Sequence, residues 1–188
     1  MSKTTGHERQ QLTRAAHNAV RGKSKTAYSL EKLSLSRFSS PADHHIGKGE
    51  KELKEVLDTL GIPYVWQYPI EGYNIDFLVN GNVAVEITTE SAHRFRRNPQ
   101  QLARFKKFAE HDIRTVGVSI RGVESIVQNM DEVIANINIV SRNKSFVGKH
   151  RVIRCTFNAF SRFRDEHGKF TAVPMAKRFF CTVEDVNW

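Results

Sequence analysis

The chain has 188 residues, of which 39% are hydrophobic, and this fits one domain with a core of its own, or one domain with arms. Its formal net charge of +9 indicates a polyanionic partner. No apolar run is long enough to cross a membrane, so we expect no membrane partner. The first ten residues show no secretory signal, and the two cysteines, Cys155 and Cys181, form no zinc motif, which together predict a cytoplasmic protein.

The charge is divided unevenly along the chain. Residues 1–48 contain nine Lys or Arg against three Asp or Glu, residues 49–140 contain ten against thirteen, and residues 141–188 contain ten against four. Acidic residues gathered between basic flanks suit a metal site beside DNA phosphates. We therefore predict a core at 47–140 with a DNA-contacting basic extension on each side, at 1–46 and at 141–188.

The N-terminal part contains two segments of different pattern. Residues 8–21 have a weak apolar stripe that predicts a short helix. Residues 23–46 are rich in Ser and basic residues, which indicates an extended or partly helical arm, with disorder as the open alternative.

The central part predicts an α/β core with a mixed sheet flanked by helices. Asn-Gly at 80–81 is a strong hairpin signal, and Asn98 followed by Pro99 is typical of a helix start. The predicted helices are 49–60, 97–110 and 122–139, and the predicted strands are 64–70, 73–79, 82–88 and 114–120.

The C-terminal part alternates between apolar and polar residues over 152–163, which favours a strand. Arg154 and Arg162 would share its basic face, and a second strand is expected near 170–173. A two-stranded basic ribbon of this kind can enter the major groove of DNA. An ordinary half-solvated hairpin is the alternative.

Two carboxylates lie inside predicted strands of the core. Asp76 stands between Ile75 and Phe77, and Glu86 stands in an equally apolar strand. Carboxylates are costly to bury unless they are paired or bind a cation. Converging from hairpin-linked strands, these two could bind Mg²⁺ or Mn²⁺, with the carbonyl oxygen of Ile87 as a third ligand. A solvated hairpin face is the alternative for each residue taken alone.

The motifs in this region resemble those of the PD-(D/E)xK nuclease superfamily, and within it the Vsr-like branch that includes phage and intron homing endonucleases. The resemblance spans about residues 47–120. It rests on a helix with Glu50 three residues before a Leu, on a Gln-x-x-Ile segment at 67–70, on Asp-Phe at 76–77, on a strand of the Val-x-Glu-Ile type at 83–87, here Val-Ala-Val-Glu-Ile, and on His93.

The resemblance implies a restriction-endonuclease-like fold and metal-dependent cleavage of DNA. It implies that Asp76 and Glu86 bind the metal, that Glu50 is a supporting carboxylate, and that His93 is a general acid or base. The sequence departs from the superfamily pattern at Thr88, where a Lys is usual.

Other side chains, most of them basic, could assist these residues. Vsr-like members commonly use His in place of the missing Lys, which agrees with His93, and Lys106 or Lys107 could also reach the site, with Gln101 a weaker candidate. In the run 93–97 an aromatic residue is interleaved with cations, a pattern compatible with phosphate contacts. The expected DNA-contacting residues of this region are Arg94, Arg96, Arg97, Lys106 and Lys107.

The sequence therefore predicts a metal-dependent, site-specific DNA endonuclease of homing type, because both basic flanks could lengthen the recognised site. Its partners would be double-stranded DNA and, as a further option, a second copy of the chain. Two alternatives stay open: a mismatch- or structure-selective nickase of the same fold, and a DNA-binding protein whose nuclease site is degenerate.

Overall fold

A computed structural model describes residues 26–39, 46–89, 98–146, 148–164 and 170–188. The predicted helix at 8–21 lies outside this part of the chain. The described helices are α1 (Ala27–Ser39), α2 (Glu50–Thr59), α3 (Pro99–Glu110), α4 (Val123–Val127) and α5 (Met130–Arg142), with a short 3-10 turn at Lys144–Phe146. The strands are β1 (Tyr64–Ile70), β2 (Tyr73–Val79), β3 (Val83–Thr88), β4 (Arg114–Ile120), β5 (Lys149–Arg164) and β6 (Phe170–Asn187).

The six strands form one open mixed sheet in the order β1-β2-β3-β4-β5-β6. Strands β1 to β3 pair antiparallel, β3 to β5 pair parallel, and β6 returns antiparallel to β5. The parallel pairs follow from the helical connections, since α3 separates β3 from β4, and α4 with α5 separates β4 from β5. The predicted α/β class with a mixed sheet flanked by helices is confirmed.

The turns explain why the first three strands are antiparallel neighbours. Glu71 and Gly72 join β1 to β2 with φ of 46° and 80°, and Asn80 and Gly81 follow β2 with φ of 52° and 69°. Two successive residues in this left-handed region match the twist of a tight hairpin. The hairpin signals of the sequence are thus confirmed.

Side chains alternate between two cores, one on each face of the sheet. On the first face, α2, α4 and α5 pack over strand residues such as Phe77, Val85 and Val118. On the second face, Phe105 and Phe108 of α3 pack over residues such as Leu78, Ala84 and Val152. Among the described helices, none is long and apolar enough to cross a membrane.

The helix predicted over 122–139 is interrupted, so that prediction is wrong in its continuity. The first helix ends at Val127 and the second begins at Met130. Between them, the side-chain amide of Asn129 donates to the carbonyl of Ser125 at 2.7 Å. An Asn side chain that bonds to nearby backbone competes with helical hydrogen bonding, which gives the break a local cause.

The C-terminal ribbon is longer than the sequence predicted. Strand β6 covers Phe170–Asn187 rather than a short segment near 170–173, and it pairs with β5 from Lys149 to Arg164. Only residues 150–155 of β5 also pair with β4, so 156–164 extend past the sheet with β6 as their partner. At the usual rise per residue this extension is about 30 Å long.

The only two cysteines of the sequence meet where the ribbon leaves the sheet. Cys155 and Cys181 are cross-strand partners and free thiols, with their sulfur atoms 3.2 Å apart.

Helix α1 lies within the segment predicted as an extended or partly helical arm, and it packs against the β1–β2 hairpin. The hydroxyl of Ser34 donates to the carbonyl of Tyr73 at 2.7 Å, and the side-chain amide of Asn74 donates to the Ser34 carbonyl at 3.1 Å. Residues 27–39 are therefore attached to the core.

Candidate metal-binding site

The candidate site lies where strands β2 and β3 stop pairing through their backbones. Their ladder ends at Phe77 and Val85, although β2 begins earlier and β3 continues further. Extending this antiparallel register by one position sets Asp76 beside Glu86. The two carboxylates predicted from the sequence are therefore brought together.

Side-chain hydrogen bonds replace the missing ladder. The backbone N–H of Ile87 donates to Oδ2 of Asp76 at 2.9 Å, and the backbone N–H of Asp76 donates to the carboxylate of Glu86. Each carboxylate is thus bound to the opposite strand, which fixes the distance between the two strands at this point.

Asp76 is partly buried and has an unfavourable environment for a negative charge. Desolvation raises its pKa to about 6, and the negative charge of Glu50 adds to the rise. Hydrogen bonds from the Ile87 amide and the Gln67 side chain, with the charge of Arg104, oppose it only in part. Asp76 is therefore a carboxylate that a nearby cation would stabilise in its charged form.

Glu86 is more deeply buried, with 4% of its surface exposed. Burial raises its pKa well above the ordinary value, and the charge of Asp76 raises it further. Arg104 of α3 opposes this shift, because its Nη2 donates to Oε1 of Glu86 at 2.8 Å. One guanidinium partly compensates the burial of this carboxylate.

Glu50 reaches the same edge of the sheet from the start of α2. Its Oε1 accepts from the backbone N–H of Gly47 at 3.1 Å, and its Oε2 accepts from the indole of Trp66 at 3.3 Å. A Cβ at position 47 would lie 2.2 Å from Oε1 of Glu50, so a larger residue there would displace this carboxylate from its present position. Glu50 is thus held by two neutral donors and contributes charge to the site, as a supporting carboxylate would.

Gly49 explains how α2 comes so close to the strand ends. Its φ is 89°, and a Cβ there would lie 2.9 Å from Cδ1 of Ile120 and 3.2 Å from Cγ2 of Ile87. Since Ile120 ends β4 and Ile87 is one residue from the end of β3, the start of α2 lies at the carboxyl ends of the parallel strands. Open α/β sheets commonly bind ligands at this edge.

Other predicted residues have different outcomes. Ile87 lies at the site, but the group that contacts a carboxylate is its amide, and its carbonyl as a metal ligand stays a prediction. Lys107 forms ion pairs with Glu110 at 2.7 Å and Glu71 at 3.4 Å. The cation that contacts a site carboxylate is therefore Arg104 and not Lys107. The predicted residues outside the described part of the chain are His93, Arg94, Arg96 and Arg97, and for Lys106 the DNA contact stays a prediction.

The sequence did not predict that Arg104 contacts Glu86, that Gln67 hydrogen-bonds to Asp76, or that Trp66 donates to Glu50. A weak signal existed, because Arg104 precedes Phe108 by four residues and so shares the buried face of α3. The buried Phe105 and Phe108 share this face, but helical spacing does not indicate that an Arg belongs beside them. Gln67 was noted only as part of a motif, yet it hydrogen-bonds to Asp76 from a backbone with φ of 51°.

The ribbon leaves the sheet at the edge where the carboxylates lie. Strands β3, β4 and β5 are parallel, and β5 continues beyond the end of β4 in the direction in which Glu86 approaches the end of β3. Thr88, Ser119 and Arg154 are register neighbours across these strands. Alternation sets Arg154 on the face of Val152, which is also the face of Glu86, about 12 Å from Glu86 by sheet spacing.

A second group of cations lies on the opposite face, at the base of the ribbon. The guanidinium of Arg121 and the ammonium of Lys177 each lie 5.0 Å from the centre of the Phe157 ring. Lys177 also pairs with Glu124 of α4. Both faces of the ribbon therefore carry cations near the site edge.

A divalent cation at this site would need a sufficient set of oxygen ligands. In the described part of the chain, no three His, Cys, Asp or Glu side chains lie close enough to form a metal-ligand group. Mg²⁺ commonly takes only one or two carboxylates from the protein and completes its shell with waters and substrate phosphates. Asp76 and Glu86 are adjacent carboxylates with hard oxygen donors, and Arg104 compensates their negative charge only in part. They therefore fit that smaller requirement.

Comparisons with known proteins give no assignment: no protein-family model, no curated protein and no solved structure matches this chain.

Proposed function

We propose that this protein is a metal-dependent DNA endonuclease whose cation is held by Asp76 and Glu86. The observation that carries the proposal is the meeting of these two carboxylates where the β2–β3 ladder ends, with raised pKa values and Glu50 nearby. Adjacent buried carboxylates with too little compensating positive charge lower the stability of a fold, unless a bound ligand neutralises them.

The charge of the neighbourhood fits a divalent ion. Ionised Glu50, Asp76 and Glu86 would carry three negative charges, and Arg104 supplies one positive charge. Among the residues that the structure describes, these are the charged groups that act on both Asp76 and Glu86, and they leave two negative charges. A divalent cation would neutralise that excess, polarise a scissile phosphate and activate a water.

The chain's own residues would prepare the site for this chemistry. The amide of Ile87 and the side chain of Gln67 orient the Asp76 carboxylate, and Arg104 orients Glu86. His93, which precedes the first residue of α3 by six positions in the sequence, would be the general acid or base, as the resemblance implies.

The ribbon supports DNA as the substrate. Residues 156–164 and 170–180 contain the cations Arg162, Arg164, Lys177 and Arg178 and contain no Asp or Glu. A basic two-stranded ribbon about 30 Å long can follow a groove of a duplex while its base stays beside the carboxylates. A contact of this length would select a site of several base pairs, which favours site-specific cleavage of homing type.

The test is cleavage of supercoiled plasmid DNA that carries random sequence or a selected target library. With Mg²⁺ or Mn²⁺ the wild-type protein should produce nicked or linear DNA, and EDTA should abolish the product. Asp76→Asn purified in parallel should produce none, which excludes a contaminating nuclease. Absence of both binding and cleavage over the whole library would overturn the proposal.

A DNA-binding protein without catalysis is the second candidate. It is favoured by Thr88 at the position of the usual Lys and by the lack of a three-residue ligand group among the described residues. Binding of DNA with full affinity in EDTA, without cleavage in either metal, would support this candidate instead.

A further inference from the structure

Arg104 occupies an unusual position for an arginine. It lies on α3, and its side chain passes between helix and sheet with 19% of its surface exposed. Its guanidinium carbon lies 5.3 Å from the ring centre of Phe108 and 5.8 Å from that of Tyr73. The two aromatic rings limit the orientations of the guanidinium, so its charge is held in a fixed place.

One nitrogen of Arg104 connects the two strands of the site. Nη2 donates to Oε1 of Glu86 on β3 and to the backbone carbonyl of Asn74 on β2, two residues before Asp76. The same charge also acts on Asp76, whose pKa it lowers against the larger effect of burial. Arg104 thus contacts Glu86, is bonded to the strand of Asp76, and influences both carboxylates.

We propose that Arg104 is the positioning residue of this site, and that it serves as a built-in second cation, so that the carboxylates bind a single divalent ion. This inference rests on the proposed function and deepens it. The position where a Lys is usual holds Thr88, and the compensating positive charge comes from the helix that follows β3.

Two consequences follow from this placement, and they have opposite signs. Arg104 holds one oxygen of Glu86, so the carboxylate keeps one orientation and presents its other oxygen to the cation. The same guanidinium repels an incoming cation and competes with it for Glu86. Removing the charge should therefore strengthen metal binding and weaken catalysis, a combination that a purely structural side chain would not produce.

The experiment is calorimetric titration of the full chain with Mn²⁺ in the absence of DNA, combined with single-turnover cleavage at saturating Mn²⁺. Wild type should bind one Mn²⁺ per chain. Arg104→Gln should bind Mn²⁺ at least about threefold more tightly. It should cleave about a hundredfold more slowly, because a misplaced Glu86 loses the productive geometry.

Two further variants separate charge from fit. Arg104→Lys keeps the charge and loses the planar fork, so its Mn²⁺ affinity should stay near that of wild type while cleavage still falls. Lys54→Gln is the control, because it removes one positive charge from α2, where the ammonium of Lys54 pairs with Asp58 at 2.7 Å and not with a carboxylate of the site. It should behave as wild type in both measurements.

The outcomes distinguish this inference from the proposed function. Wild-type protein that binds no Mn²⁺ would overturn both. If wild type binds Mn²⁺ and cleaves DNA, but Arg104→Gln binds Mn²⁺ with equal or lower affinity, only the role of Arg104 is wrong. Two Mn²⁺ ions per wild-type chain would also overturn it. If Arg104→Gln does not fold, Arg104→Lys decides, and wild-type cleavage by that variant would contradict the inference.

Discussion

Two arginines, Arg151 on β5 and Arg104 on α3, each bind a carboxylate, but the two pairs differ in charge balance. At the start of β5, Arg151 binds Asp185 through two bonds, 2.7 Å from Nε to Oδ1 and 3.1 Å from Nη2 to Oδ2. Hydrogen bonding from Arg151 lowers the pKa of Asp185. At the candidate metal site Arg104 binds Glu86, and yet the pKa values of both Glu86 and Asp76 are raised.

This difference fits a structural role for the Arg151–Asp185 pair and the proposed ligand-binding role for Asp76 and Glu86. Arg151 and Asp185 are one cation and one anion in bidentate contact, so the pair is complete and stabilises the β5–β6 connection. Arg104 contacts Glu86, and its single charge leaves an excess of negative charge from Glu50, Asp76 and Glu86. That excess lowers the stability of the unliganded protein, and a bound cation would reverse the loss.

The largest expected effect is on catalysis at the site formed by Asp76 and Glu86. Asp76→Asn and Glu86→Gln should each lower the single-turnover cleavage rate by about a thousandfold or more, because losing a metal ligand removes several kcal/mol of transition-state stabilisation. DNA affinity and fold should stay largely intact. The measurement is the cleavage rate at saturating Mg²⁺, with circular dichroism and DNA binding measured in parallel.

Asp185→Asn is the matched control, because Asp185 belongs to the charge-balanced pair with Arg151. It changes the same functional group in the same way, and it should leave the cleavage rate within a few fold of wild type while lowering the stability of the protein. Activity retained within about tenfold in either site variant would remove that carboxylate from the metal site.

The next effect concerns His93. If it transfers a proton at the scissile phosphate, His93→Ala should lower turnover by roughly a hundredfold without weakening DNA binding. His111→Ala is the control, because His111 is half-exposed and bonded to Glu71 at 2.9 Å. A loss of DNA affinity with an unchanged single-turnover rate at saturation would show instead that His93 contacts phosphate.

A smaller effect is expected at the ribbon. Substituting Arg154 or Arg162 by Ala should reduce the preference for the target sequence by roughly 1–3 kcal/mol for each true base contact. Removing residues 1–25, which leaves α1 in place, should instead weaken binding to all sequences and reduce the dependence of affinity on salt. Competition between specific and random duplexes at several salt concentrations separates these roles. Equal weakening of both duplexes by the Arg changes would contradict base contact.

The smallest effect is on stability as a function of pH. The pKa of Asp76 is about 6 in the folded protein and about 4 in the unfolded chain, so the folded state holds this proton more tightly. Relative to Asp76→Asn, the wild type should lose roughly 2 kcal/mol as pH rises from about 4 to about 6, and the loss should level off above about pH 7. Urea unfolding of both proteins at several pH values measures the difference. A wild type that gains stability over this interval would contradict the raised pKa.

Much of the scaffold was predictable because its signals are local. The Asn-Gly pair at 80–81 indicated the turn after β2, and Asn98 accepts hydrogen bonds from the amides of Gln100 and Gln101 as a helix cap should. The strand carboxylates were also recognisable, since a charged residue inside an apolar strand needs a reason. These features depend on neighbours in sequence.

The remainder depends on contacts between distant residues. Arg104 is separated from Glu86 by part of β3, by residues 90–97 and by half of α3, and no short-range pattern connects the two. The length of β6 was missed for a related reason, because its pairing with β5 and not its own alternation determines how far it extends. The resemblance supplied Asp76, Glu86 and Glu50, while the cation that accompanies them required the tertiary structure.

The central claim is that Glu50, Asp76 and Glu86 carry an excess of negative charge that a divalent cation neutralises. Thermal unfolding with and without Mg²⁺ at pH 7.5 tests this claim most directly. Mg²⁺ at about a hundred times its dissociation constant should stabilise wild type by about 2.7 kcal/mol and should have little effect on Asp76→Asn. Without Mg²⁺, Asp76→Asn should be at least as stable as wild type. An Asp76→Asn protein that is less stable than wild type, combined with no response of wild type to Mg²⁺, would show that Asp76 is a structural carboxylate and would contradict the account.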